Sequence, residues 1–285
     1  MIKLNKFFFP YIILLIIIGF NGTLAISFLV VSLHEIVHYL TAVSFGYSGF
    51  DLRILPIGTV LNLKDLDEAT PKQDIIISIS GPIFNLLLAA VMLILNKNTL
   101  NHSLIYFIQS NLALGLFNLI PAFPLDGGRI LRDCLSLKTF YKRANELTIK
   151  ISILIGCFMI VFFIFLCILH ILNYNIGIIG IFVVVSSYKE KERIVYIIMG
   201  DIIKKKSKFL KNKYIENKSV SIYYKGDLIS VLSLCDKSKY NIFTVLDEEL
   251  KVLDIIYEED VVKGLKEYGN ITIEEFVEIR ENNDL

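Results

Sequence analysis

Long apolar runs, interrupted by short charged loops, fill residues 7–188, whereas apolar and polar positions interleave at short spacing from residue 220 onward. A helix needs about 20 mostly apolar residues to cross a bilayer. Residues 24–45, 75–95, 103–125 and 151–171 reach or approach that length. Two shorter runs, 7–20 and 175–188, can span with help from flanking residues or local thinning of the bilayer. The pattern predicts a polytopic α-helical membrane protein with about six transmembrane helices. The tail reads as strand 220–224, helix 228–235, strand 241–246, an acidic turn, strand 251–256 and helix 258–268, a small cytosolic α/β domain. Three regions follow: a membrane domain over 1–190, a basic juxtamembrane linker over 191–219 and the tail domain over 220–285.

Composition agrees with a bilayer environment, since a mean hydropathy of +0.61 is too apolar for an ordinary soluble enzyme. The net charge of +1 points to no nucleic-acid partner, but its distribution is informative. Six spans place both termini on one side together with Lys3, Lys6, Arg53, Lys64, Lys72, Arg129, Arg132, Lys138, Lys142, Arg143, Lys189, Lys191 and Arg193, leaving Lys97 on the other. Positive loops stay inside, so both termini are expected in the cytoplasm. The linker, with Lys204, Lys205, Lys206, Lys208, Lys211 and Lys213, reads as a solvated, flexible stretch beside anionic lipid. The apolar start is not read as a cleaved signal, because a second apolar segment follows after Asn21-Gly22-Thr23. Cys134, Cys157, Cys167 and Cys235 form no C-x-x-C pair, so neither a disulfide framework nor a cysteine metal site is expected.

Chemistry concentrates in the second apolar segment, at His34-Glu35-Ile36-Val37-His38. Histidines four apart share a helix face and can bind one zinc ion, while Glu35 beside them can take a proton from water that the metal acidifies. Ionisable groups at the centre of a spanning helix cost about 2.5 kcal/mol or more each unless paired or functional, and a divalent cation supplies the pairing. Catalytic zinc ordinarily has three protein ligands. Asp126 is the leading third ligand, because it follows Pro121, Pro124 and precedes Gly127-Gly128, where broken helical backbone at membrane depth suits a cavity. It is expected at the end of the fourth apolar helix. Asp74 and the Asp65, Asp67, Glu68 group are weaker candidates. A metal-binding transporter and a catalytically inactive regulator with structural zinc are the competing functions. Glu35 speaks against the second, since metal binding alone does not need it.

The combination of H-E-I-V-H, Ser80-Gly81-Pro82-Ile83-Phe84-Asn85, Leu55-Pro56-Ile57-Gly58, and Asn118 eight residues before Asp126 in P-A-F-P-L-D-G-G-R resembles the site-2 protease family of intramembrane zinc metalloproteases. The resemblance covers residues 1 to about 190. It implies one zinc ion held by His34, His38 and Asp126, Glu35 as catalytic base, and Asn85, Asn118 and Pro124 lining the site. Six helices plus a cytosolic tail resemble the family's sporulation branch, whose members process a sigma-factor precursor and carry a cystathionine-β-synthase-type (CBS) tail. That implies a membrane-associated protein substrate, regulatory membrane partners, a homo-oligomer as an option, and residence in a bacterial cell or forespore membrane. It also implies ATP binding at the tail, with Asp260 in the position of a ribose-contacting carboxylate, although Tyr257 stands where that motif usually has Thr. The loop from Tyr47 to Lys72 is expected to offer a strand edge to an unwound substrate.

Overall fold

The computed structural model describes residues 2–4, 21–47, 50–55, 58–63, 69–95, 101–170, 174–236 and 239–283. The expected first span at 7–20 and the Asp65, Asp67, Glu68 group lie outside them. The chain divides into two compact units, Met1–Cys134 with Lys150–Ser187, and Leu135–Ile149 with Tyr188–Leu285. Residues 135–149 fall in the second of these units.

In the first unit, α1 (Asn21–Ser44), α2 (Pro71–Leu95) and α3 (His102–Asn118) pack on one another. A small sheet of β1 (Ile2–Leu4), β2 (Phe50–Leu55) and β3 (Gly58–Leu63) stands beside α1. β1 runs parallel to β2, with Ile2 opposite Leu52, and β3 runs antiparallel to it, with Phe50 opposite Leu63. The order β1-β2-β3 makes β3 an edge strand. α2 starts at a capping box: the Thr70 N–H donates to Gln73 Oε1 at 3.1 Å, the Gln73 N–H donates to Thr70 Oγ1 at 3.4 Å, and Pro71 takes the first helical position. Gly115 of α3 comes so close to α2 that a Cβ there would stand 3.0 Å from Leu86 and 3.1 Å from the Pro82 carbonyl.

The expected helix 103–125 ends at Asn118, where the backbone turns through 119–125 and a separate helix, α4 (Asp126–Ser136), begins. Pro121 and Pro124 lack the N–H donors that would carry the helix onward. α5 (Tyr141–Ile168) begins ten residues before the expected 151, and α6 (Tyr174–Asn212) continues far beyond 188. The linker is thus helical through Asn212 rather than irregular, in keeping with the high helix propensity of its Lys-rich run. Three described helices are long and apolar enough to cross a membrane: Ala25–Ser44, Pro71–Leu95 and Tyr141–Ile168. On α5, Leu154, Phe158, Val161, Phe165 and Ile168 are exposed, an apolar stripe that suits lipid and not water. Gly156 of α5 lies against Gly180 of α6, where a Cβ on either would stand 3.0 Å from the other's carbonyl oxygen.

The second unit holds a sheet of β4 (Asn217–Tyr223), β5 (Tyr240–Leu246) and β6 (Val252–Tyr257), in that order. β4 is parallel to β5 through the crossover α7 (Leu228–Ser233), and β5 is antiparallel to β6. Alternate residues of β5, Asn241, Phe243 and Val245, point into a core completed by Leu228, Val231, Ile256 and Val261. Tyr141 and Ile202 belong to the same core. The expected strand and helix order holds, with α8 (Glu258–Glu267) after β6 and one further helix, α9 (Ile273–Asn283). α9 had a legible start: the Thr272 N–H donates to Glu275 Oε2 at 3.0 Å and the Glu275 N–H donates to Thr272 Oγ1 at 3.3 Å.

Candidate metal centre

α1 presents His34 and His38 one turn apart on its buried side, 3% and 7% exposed. α4 brings Asp126 to them as its first residue. The His34 Nε2 and His38 Nε2 atoms each stand 3.1 Å from Asp126 Oδ2 and 3.0 Å from one another. Three donor atoms are therefore gathered at nearly equal spacing.

The tautomer of His38 follows from its other nitrogen. Nδ1–H donates to the Ile77 carbonyl at 2.6 Å, which leaves the Nε2 lone pair facing His34 and Asp126. Lone pairs crowded at this spacing repel unless a cation or a proton lies among them. Zinc bonds of about 2.0–2.1 Å in tetrahedral array put ligand atoms about 3.3 Å apart, close to the spacing observed, and two histidines with one carboxylate are a recurrent zinc ligand set. The residues present fit a zinc ion. The contact from His38 to a backbone carbonyl also supplies the outer hydrogen bond that orients a metal-bound imidazole.

Glycines decide how closely the helices approach the centre. A Cβ on Gly81 of α2 would stand 2.5 Å from His38 Nε2 and 2.8 Å from His34 Cε1, so α2 forms a wall directly against both rings at the edge of the centre. Gly127 and Gly128 both sit inside α4 and serve close contact. A Cβ on Gly127 would stand 2.5 Å from the Leu119 carbonyl oxygen, and one on Gly128 would stand 2.6 Å from the Ala122 carbonyl carbon. The segment 119–125 thus lies flat on the first turn of α4, and the Phe123 N–H is held by Ser152 Oγ at 2.9 Å.

The other expected residues fall in different surroundings. Glu35 is half-buried on α1 between the two ligands in sequence. Asn85, one turn beyond Gly81 on α2, is fully buried, and neither its Nδ2 nor its Oδ1 has a hydrogen-bond partner among the described residues. An amide left so in a core is costly, which fits a group reserved for something that enters the site. Asn118 is half-buried at the end of α3, and Pro124 is exposed in the turn before α4. Asp74, weighed as a ligand, is not at the centre: it accepts hydrogen bonds from Arg129 and Arg132 of α4. Those two arginines, counted by sequence among the charges on the cytoplasmic side, are paired there. In the second unit the Asp260 carboxylate accepts the Tyr257 N–H at 3.2 Å, and so helps cap α8.

Helices long and apolar enough to cross a membrane, around a His, His, Asp cluster that could hold a metal ion, are the features expected of a membrane metalloprotein. Comparison with known proteins makes this specific. The pattern of peptidase family M50 matches residues 22–98 and 95–163. A zinc metalloprotease of Methanocaldococcus jannaschii is 36% identical over 140 residues, 47% of this chain and 40% of that protein. Stage IV sporulation protein FB of Bacillus subtilis is 29% identical over 148 residues, 50% of this chain and 51% of that protein. The solved structure of the site-2 protease from Methanocaldococcus jannaschii is similar with a TM-score of 0.52 at 28% identity, covering 67% of this chain and 90% of that one. The chain belongs to peptidase family M50, the site-2 protease family. Its alignments span about half or less of the length of these two curated relatives.

Proposed function

We propose that this protein hydrolyses a peptide bond in a membrane-associated protein substrate, with zinc held by His34, His38 and Asp126 and with Glu35 as general base. The observation that carries this reading is the convergence of three potential ligand atoms, 3.0–3.1 Å apart, from α1 and the start of α4, with the Glu35 carboxylate, which metal binding does not require, next to His34 in sequence. Zinc bound there supplies Lewis-acid polarisation of the peptide carbonyl and lowers the pKa of water to about 7. Glu35 takes the proton as the water oxygen bonds to the carbonyl carbon, then delivers it to the amine nitrogen as the C–N bond breaks. Asn85 offers a buried donor and acceptor to the backbone of an unwound substrate, and Asn118 and Pro124 line the approach.

A helical substrate hides its carbonyls in hydrogen bonds and must be extended before it is cut. The strand β3 beside α1, at the edge of the sheet among the described residues, suits that task, since an edge strand can take a substrate segment as an added strand. The proposed topology has six spans and cytoplasmic termini, residues 1–190 forming the protease domain and the CBS-like tail 220–285 serving recognition or regulation. The likeness to stage IV sporulation protein FB favours the sporulation branch, with a sigma-factor precursor as substrate. ATP at the tail is the finer part of this reading, and Asp260→Ala should then blunt any response of cleavage to ATP.

The deciding experiment is coexpression with candidate membrane-associated precursors, comparing wild type with Glu35→Gln. Cleavage by wild type alone supports the proposal. Equal cleavage by both variants refutes it.

A further inference from the structure

Three residues before Ile77, whose carbonyl orients His38, α2 carries a second contact with the site. Asp74 is 3% exposed, and its two oxygens accept from different arginines of α4: Oδ1 from Arg129 Nη2, and Oδ2 from Arg132 Nη2 at 2.7 Å. Arg132 also donates through Nε to Asp133 Oδ1 at 2.9 Å and through Nη2 to Asp133 Oδ2 at 3.1 Å. Two carboxylates and two guanidinium groups balance in charge.

These contacts share a geometry with the metal centre. Asp74, Ile77 and Gly81 follow one another at helical spacing along one side of α2, and touch respectively α4, His38 and both histidines. Arg129 and Arg132 follow Asp126 by three and six residues in the same short helix, so Arg129 lies near the side of α4 that carries the ligand and Arg132 about 120° round from it, and together they grip α4 over a broad arc. α4 follows the helix break at 119–125, so no preceding helix continues into it to set its rotation. Buried ion pairs add little net stability, because desolvation offsets attraction, but they do impose one geometry.

We propose that Asp74, gripping Arg129 and Arg132, is a positioning device that fixes the rotation of α4 and so holds Asp126 at the proper distance from His34 and His38. α2 then acts as a common ruler for both halves of the metal site. This rests on the reading of those three residues as zinc ligands.

The test is zinc affinity of the purified full-length chain, measured by competition with a chelator, with far-ultraviolet circular dichroism as the fold control. Asp74→Asn and Arg132→Met are expected to weaken zinc binding by about 10-fold, the lower end of the loss that follows removal of a direct partner of a metal ligand, because the brace acts on Asp126 through α4. Helix content should stay at the wild-type level. The double variant should be no weaker than the worse single one, because both remove the same brace. Arg132→Lys, which keeps the charge but not the two-pronged grip, should recover only part of the loss. Wild-type affinity in Asp74→Asn, while Asp126→Ala loses zinc, would overturn the brace. If the neutralised variants do not fold, Asp74→Glu and Arg132→Lys decide, and wild-type affinity in both would likewise overturn it. Wild type and Asp126→Ala releasing zinc alike would strike at the ligand assignment, and the brace would fall with it.

Discussion

Gly81 and His38, from neighbouring helices, are packed so tightly that one added carbon on Gly81 would stand 2.5 Å from the ring nitrogen facing the metal centre. His38 cannot swing aside freely, because its Nδ1–H is held by the Ile77 carbonyl at 2.6 Å. Gly81→Ala should therefore lower zinc content well below one ion per chain and abolish cleavage while leaving helix content intact. Elemental analysis of the purified variant checks this; full zinc occupancy would mean that α2 yields and that Gly81 has no part in shaping the site.

Glu35→Gln should separate metal binding from chemistry. The three ligands remain, so zinc should stay near one ion per chain, while the cleavage rate should fall by at least about 100-fold with loss of the base. Single-substrate kinetics and metal analysis on one preparation test it. A rate within a few-fold of wild type would remove Glu35 from its role.

Stripping the metal with a strong chelator should abolish cleavage, and one equivalent of zinc should restore it. Asp126→Ala should lose zinc under chelator concentrations that wild type withstands, since two histidines alone hold the ion less tightly. Cleavage that survives complete removal of zinc would rule out a metalloprotease.

Lys205 of α6 and Glu258 of α8 form a buried pair at 2.9 Å, and the same Glu258 oxygen accepts from the Asn241 N–H at 3.0 Å and from Asn241 Nδ2 at 2.6 Å. Lys205→Met leaves that carboxylate buried without its cation, which ordinarily costs about 3–5 kcal/mol. The tail should unfold at markedly lower temperature, followed by limited proteolysis of the full chain, while zinc content is unchanged. An unaltered melting profile would show that this pair does not secure the tail.

Deleting the tail should disturb more than recognition. Tyr141 and Ile202 are buried in the same core as Phe243 and Ile256, so a chain ending at residue 200 loses Ile202 and uncovers Tyr141. Such a truncation should keep its zinc, because all three proposed ligands precede residue 135, but should aggregate more readily than a chain carrying Tyr141→Ser as well. Equal solubility of the two truncations would argue against this packing.

Much of the protein could be read from the sequence because it depends on local regularities. His34 and His38 meet on one side of α1 because a helix brings positions four apart together, whatever surrounds it. The apolar lengths of 24–45 and 75–95, the alternation along β5 and the strand and helix order of the tail are likewise local. Other features arise only where segments distant in sequence meet. Nothing near Asp74 announces that it will grip two arginines 55 and 58 residues away, so from sequence it stands only as a weaker candidate ligand. Gly81, Gly127 and Gly128 look like permissive backbone until the structure places imidazole rings and carbonyl groups where their side chains would be. The split between α3 and α4 is marked by prolines, yet the return of Asp126 to the two histidines depends on how α4 packs. Local pattern determined which groups could bind a metal; tertiary packing decided the distances between them, because those distances are set by close contacts across helices that no periodicity along the chain contains.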